Sequence, residues 1–98
     1  MKVPILLPNI FNHPFTYESD LKLKVGDYVV VPFGKSKITG VVWDEFEKKN
    51  NRNFKIKNVL KKLDVVPLKK TTIKFLNWFS EYNIIPKGMA LKLVLLSS

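Results

Sequence analysis

The chain holds no cysteine, and only His13 and Arg52 represent histidine and arginine among its 98 residues. Without cysteine there is no disulfide and no thiolate metal ligand. One imidazole cannot build a metal site alone. No serine has a histidine partner in view, since His13 sits in a turn beside Pro14 and reads as a solvated turn residue. Acidic residues are also few, eight in all. Asp44, Glu45 and Glu47 cluster after a strand. They read as a solvated loop head, short of the converging oxygens that Ca²⁺ or Mg²⁺ demands. Long apolar runs are missing too. Val3–Leu7 is broken by Pro4 and lacks a cleavage signal. Leu91–Leu96 falls far short of the roughly 20 residues that cross a bilayer. The expectation is a soluble, cytoplasmic chain with no membrane partner. Gly-rich phosphate loops are absent as well. Gly34-Lys35-Ser36 has the tail of a P-loop, but Val29 stands where its upstream glycine belongs. No catalytic residue, metal or cofactor is assigned to this segment.

What is present is positive charge and apolar residues. Seventeen Lys and Arg against eight Asp and Glu give a net charge of +9. Such a field attracts polyanions. Yet all but one of these cations are lysine, as in an AT-rich genome, and arginine is the usual reader of phosphates and bases. Charge alone therefore leaves nucleic acid and plain solvation about level. A hydrophobic fraction of 46% fits one folded domain, residues 1–98, rather than disorder. Aromatics recur beside cations: Phe15 and Tyr17, Phe33 near Lys35 and Lys37, and Phe54 between Arg52 and Lys55. Such pairs suit unpaired or terminal nucleotides, though each ring also serves as an ordinary anchor. Trp43, Phe75, Trp78 and Phe79 read as core.

The pattern along the chain is mostly β. Residues 3–8 form a short apolar strand, Phe15-Thr16-Tyr17 is extended, and Gly26-Asp27 is a turn. Tyr28–Pro32 and Lys37–Asp44 are strands joined by a turn through Gly34. Phe54–Leu63 fits a strand at first and a helix later, and is assigned as strand. Thr71 to about Asn83 has helical spacing at Ile73, Leu76 and Phe79, and at Phe75, Phe79 and Tyr82. Pro86-Lys87-Gly88 stops it, and Met89–Leu95 reads as a last strand. The fold class is α+β: a small, twisted, barrel-like (OB-like) antiparallel sheet with one helix packed on it. Apolar residues run to the chain's end, as if the segment were cut from a longer protein.

Several spaced elements together resemble a known family. They are Val3–Pro8, Phe15-Thr16-Tyr17, Gly26–Lys35 with its G-x-x-V-x-V-P-F-G pattern, Gly40-Val41-Val42, Lys57 to Asp64, and Trp78–Asn83 with Pro86-Lys87-Gly88. The sequence resembles the N-terminal 3′-DNA-binding domain of PriA, the primosomal replication-restart helicase of bacteria, over essentially its whole length. The resemblance implies a domain that binds the 3′ end of the nascent leading strand at a stalled fork. Its pocket would hold the terminal nucleotide. The parent would be an ATP-dependent 3′–5′ DNA helicase, with ATP, Mg and Zn bound downstream of this segment. DNA with a free 3′ end is the implied partner, with other primosome proteins reached through the parent chain and the domain itself monomeric.

The family's pocket positions fall here on Phe15, Thr16, Tyr17, Gly34 and Lys57. Lys35 and Lys37 stand as accessory phosphate contacts. By composition alone Lys57 is a solvated strand residue, Gly34 a turn former and Tyr17 a core residue; the motif match is what singles them out. Thr16 departs from the acidic residue usual there. A hydroxyl lacks the charge-assisted strength of a carboxylate toward a 3′-hydroxyl and repels a 3′-phosphate less. Two other readings stand beside this one: a structural or protein-interaction β-domain with a solvated lysine surface, and a small RNA-binding barrel.

Overall fold

The computed structural model describes residues 1–9, 11–47, 56–83 and 85–96. Five strands and two helices follow in order: β1 (Lys2–Leu6), β2 (Phe15–Glu18), β3 (Tyr28–Phe33), β4 (Ser36–Val42), β5 (Lys61–Lys62), α1 (Lys70–Asn83) and α2 (Lys87–Leu96). The strands form one sheet in the order β2-β1-β4-β3-β5, every neighbour antiparallel. The β3–β4 hairpin dominates, because Val29, Val30, Val31 and Ile38 are β-branched residues that pack well on a pleated surface. Its register pairs Phe33 with Ser36, which leaves Gly34 and Lys35 as a two-residue turn. Gly34 adopts φ +61°, a conformation that other residues reach only with strain.

Strand alternation sorts the side chains onto two faces. Val3, Ile5, Leu7, Tyr17, Val29, Val31 and Val42 build one core, with Phe15 and Phe33 packed at its margin. Leu6, Val41 and Trp43 point the other way and meet Ile73, Leu76, Ala90 and Leu91 of the helices. Each fully buried aliphatic side chain contributes roughly 1.5–3 kcal/mol, so these two layers hold the fold. The indole N–H of Trp43 donates to Asn77 Oδ1 (3.2 Å), fixing α1 against the end of β4.

The sheet also closes on itself. The segment from Lys57 to Leu63 bonds β2 on one side and β3 on the other. Glu18 N–H donates to the Lys57 carbonyl and Val59 N–H to the Glu18 carbonyl (both 2.9 Å), across a parallel bridge between Glu18 and Asn58. Leu60 N–H then donates to the Val30 carbonyl (2.8 Å). The α+β, barrel-like expectation holds, with one parallel contact at the seam.

Three local expectations change. Regular strand within the 54–63 stretch is confined to Lys61–Lys62, and Phe54 and Lys55 lie outside the described residues. Met89–Leu95 is not a strand but the body of α2. Its residues are mainly Met, Ala, Leu and Lys, strong helix formers, and the apolar run masked the helical period. Pro86 starts this helix, its carbonyl accepting the Ala90 N–H (3.0 Å). Finally, Phe75 and Trp78 are not core: they are 51% and 53% exposed. α1 carries two overlapping apolar stripes, and the one through Ile73 and Leu76, which buried Ser80 continues, faces the sheet. Trp43, at 1% exposure, is core as expected. Phe79 is half-buried against the helix-side layer.

Candidate nucleic-acid interface

β2 ends the antiparallel strand order, and Phe15, Thr16 and Tyr17, three of the positions inferred from sequence, make up most of it. Phe15 and Tyr17 share its inner face. Tyr17 is buried, and its hydroxyl donates to the Pro32 carbonyl at 2.8 Å. Burial pushes the Tyr17 phenol above the ordinary tyrosine range, because the charged form loses water. Phe15 meets Phe33 edge to face, centroids 5.3 Å apart. One hydrogen bond and one ring contact thus fix the Pro32-Phe33-Gly34 turn against the Phe15–Tyr17 strand. A Cβ at Gly34 would meet nothing within 4 Å, so the turn borders open space.

Lys57 joins from the seam. Its carbonyl is bonded to Glu18, the residue after the triplet, and its side chain is exposed. The Glu18 carboxylate is held by the Met1 amine at 2.6 Å, which offsets the negative charge closest in sequence to the triplet. Among the described residues, Lys57, Lys35 and Lys37 make no ion pair. Lys35 lies on the turn and Lys37 opposite Pro32, both exposed.

Thr16 is different. Alternation places its side chain on the face opposite Phe15 and Tyr17. Its backbone is the informative part. Glu18 turns both its N–H and its carbonyl away from β1, toward the 57–59 segment. Main-chain groups repeat every two residues, so those of Thr16 point to the same side of β2. Its β1 partner is Pro4, which has no N–H to offer. No described residue takes either group. Among the described residues, the Thr16 N–H and carbonyl thus have no backbone partner, on the side of β2 where Lys57 lies.

Sequence reasoning missed the surroundings of Phe15. Phe11 lies 5.3 Å from it and His13 4.9 Å. The spacing 11, 13, 15 held the signal: three rings at every second position leading into β2. It also missed why Gly88 is glycine. Its N–H donates to the Phe11 carbonyl (3.0 Å), and a Cβ there would sit 2.5 Å from the carbonyl oxygens of Leu7 and Asn9. The start of α2 therefore lies directly on the β1–β2 connection. Beyond His13, a cleft of about 390 Å³ is lined in part by Glu45 and Glu47, the wrong charge for phosphate.

A barrel-like basic domain with ring pairs and exposed lysines suits a nucleic-acid-binding module. Comparison with known families agrees: the model of the PriA 3′DNA-binding domain (3′BD) matches residues 2–96, and the chain belongs to that family. Individual relatives bear the name replication restart protein PriA. Those of Rickettsia conorii and Rickettsia felis are each 34% identical over 94 residues, and that of Rickettsia typhi is 33% identical over the same length. Each match covers 93% of this chain and 14% of the relative, so the chain spans about a seventh of their length. Among the described residues, no helix is long and apolar enough to cross a membrane.

Proposed function

We propose that this domain receives the 3′-terminal nucleotide of a DNA strand beside Thr16 of β2, between the Phe33-Gly34 turn and Lys57. The observation that carries the reading is the pair of Thr16 backbone groups turned away from β1, neither of them bonded among the described residues. A backbone N–H is a good donor to a phosphate or sugar oxygen, and a carbonyl accepts a terminal hydroxyl. The ring of Phe15 or Phe33 packs against sugar or base, Gly34 permits close approach, and Lys57 neutralises the last phosphodiester. Lys35 and Lys37 add phosphate contacts further along.

Within a longer chain of the relatives' kind, the same contact would engage the 3′ end of the nascent leading strand at a stalled fork. The relatives' name, replication restart protein, supports that use. Helicase action, with its ATP, Mg and Zn, would belong to the rest of such a chain, and other primosome proteins would meet it there.

The test is a titration of short DNA and RNA strands at several salt concentrations, with the Lys57→Ala variant alongside. The reading expects DNA to bind with salt-dependent affinity, and Lys57→Ala to weaken binding and flatten the salt slope by about one phosphate contact. Preference for RNA would favour an RNA-binding barrel. No salt-dependent affinity at all would leave a structural β-domain.

A further inference from the structure

Phe15 is the hub of a ring cluster larger than the pocket needs. Phe11 meets Phe15 at 5.3 Å and 86°, and meets Phe33 at 6.3 Å and 67°. His13 lies 4.9 Å from Phe15 and 5.7 Å from Phe11. Each of these contacts is steep, so no ring of the cluster is stacked face to face on another. Phe11 remains 37% exposed while touching both rings of the candidate pocket.

The connection that carries Phe11 is held in place. Asn9 Oδ1 accepts the Phe11 N–H (3.1 Å), and the Phe11 carbonyl accepts the Gly88 N–H (3.0 Å). Asn12 Oδ1 accepts the Lys87 N–H (2.8 Å) at the start of α2. A half-open aromatic ring on an anchored backbone has less conformational freedom left to lose when a ligand covers it. Bases stack on such rings whatever their identity, since every base has a π-face.

We propose that Phe11 is a second stacking position, for the unpaired base next to the terminal nucleotide, with His13 and Phe15 as its backing. This rests on the end-binding reading: the terminal nucleotide lies against Phe15, Phe33 and Gly34, and the next ring outward is Phe11. The domain then reads two consecutive nucleotides, and its ligand is a strand whose last two bases are unpaired.

Fluorescence anisotropy tests this on the intact chain with a 5′-labelled single-stranded DNA and its twin, abasic only at the penultimate position. Wild type, Phe11→Ala and Phe11→Tyr are compared, each shown folded by circular dichroism. The expected result is a roughly 5- to 100-fold loss for Phe11→Ala on the intact strand, little or no further loss on the abasic strand, and near-normal binding by Phe11→Tyr. An equal loss on both strands, or no loss on the intact one, overturns the proposal. Both strands are repeated with a blocked 3′ end. If wild type ignores the block while the Phe11–base coupling persists, the end-binding reading fails and the stacking position survives. If wild type prefers free ends and the coupling is absent, the stacking position fails and end binding survives. Absence of any binding removes both.

Discussion

The Tyr17 hydroxyl donates to the Pro32 carbonyl across 2.8 Å, joining β2 to the end of β3 just before the Gly34-Lys35 turn. Tyr17→Phe leaves that carbonyl without this donor, a loss of about 1 kcal/mol. Urea unfolding of the two proteins measures it. The same bond has a pH signature. The folded chain keeps the phenol protonated to higher pH than the unfolded chain does, because burial raises its pKa. Its stabilisation is full below about pH 10 and is lost as pH rises through the folded value. Stability should therefore fall above about pH 10 more steeply in the wild type than in Tyr17→Phe.

Thr16→Pro removes one backbone N–H that has no partner among the described residues, and no bond of the β1–β2 ladder. Proline is tolerated on edge strands with the N–H side facing solvent. The expected outcome is a melting temperature within a few degrees of wild type and a DNA affinity lower by roughly 10-fold or more, the scale of a hydrogen bond to a charged group. Unchanged affinity in a folded protein would remove Thr16 N–H from the contact.

The side chain of Thr16 gives a separate prediction. Discrimination between 3′-hydroxyl and 3′-phosphate ends should be weaker in the wild type than in Thr16→Asp, since a carboxylate repels the phosphate. Anisotropy titrations with the two end groups measure it, and equal or stronger discrimination by the wild type contradicts it.

Gly88→Ala drives a Cβ to 2.5 Å from the Leu7 and Asn9 carbonyl oxygens. The start of α2 must back away, at a cost of about 1–3 kcal/mol for overpacking. Denaturant midpoints report the loss.

The two tryptophans separate sharply in burial. Trp43→Ala should cost about 3–5 kcal/mol, a large share of a total that is typically about 5–15 kcal/mol. Trp78→Ala should cost about 1 kcal/mol or less, as surface substitutions do. Each variant keeps one indole as the fluorescent reporter for its own unfolding curve.

How far the sequence was readable follows from which signals are local. The β3–β4 hairpin was legible because β-branched runs flank a Gly turn. α1 was legible because Ile73 and Leu76 keep a helical period. The orientation of α1 was not, since Phe75, Trp78 and Tyr82 make a second stripe of equal weight, and only the packing of the sheet chooses between them. α2 was misread because an apolar run of Met, Leu and Ala has no period to see. The candidate site residues came from motif resemblance, and the structure sets Phe15 and Tyr17 against Phe33 and Pro32, next to Gly34, and bonds the Lys57 carbonyl to Glu18. The direction of the Thr16 backbone could not come from sequence: it is set by the seam between Glu18 and Lys57, a contact nearly forty residues apart.

The central claim is that this edge reads a DNA end. The most direct measurement is an anisotropy titration of one single-stranded DNA carrying either a free 3′-hydroxyl or a blocked 3′ terminus of the same sequence. The account predicts clearly tighter binding of the free end, with the difference lost in Thr16→Pro. Equal affinity for the two strands in the wild type would contradict it.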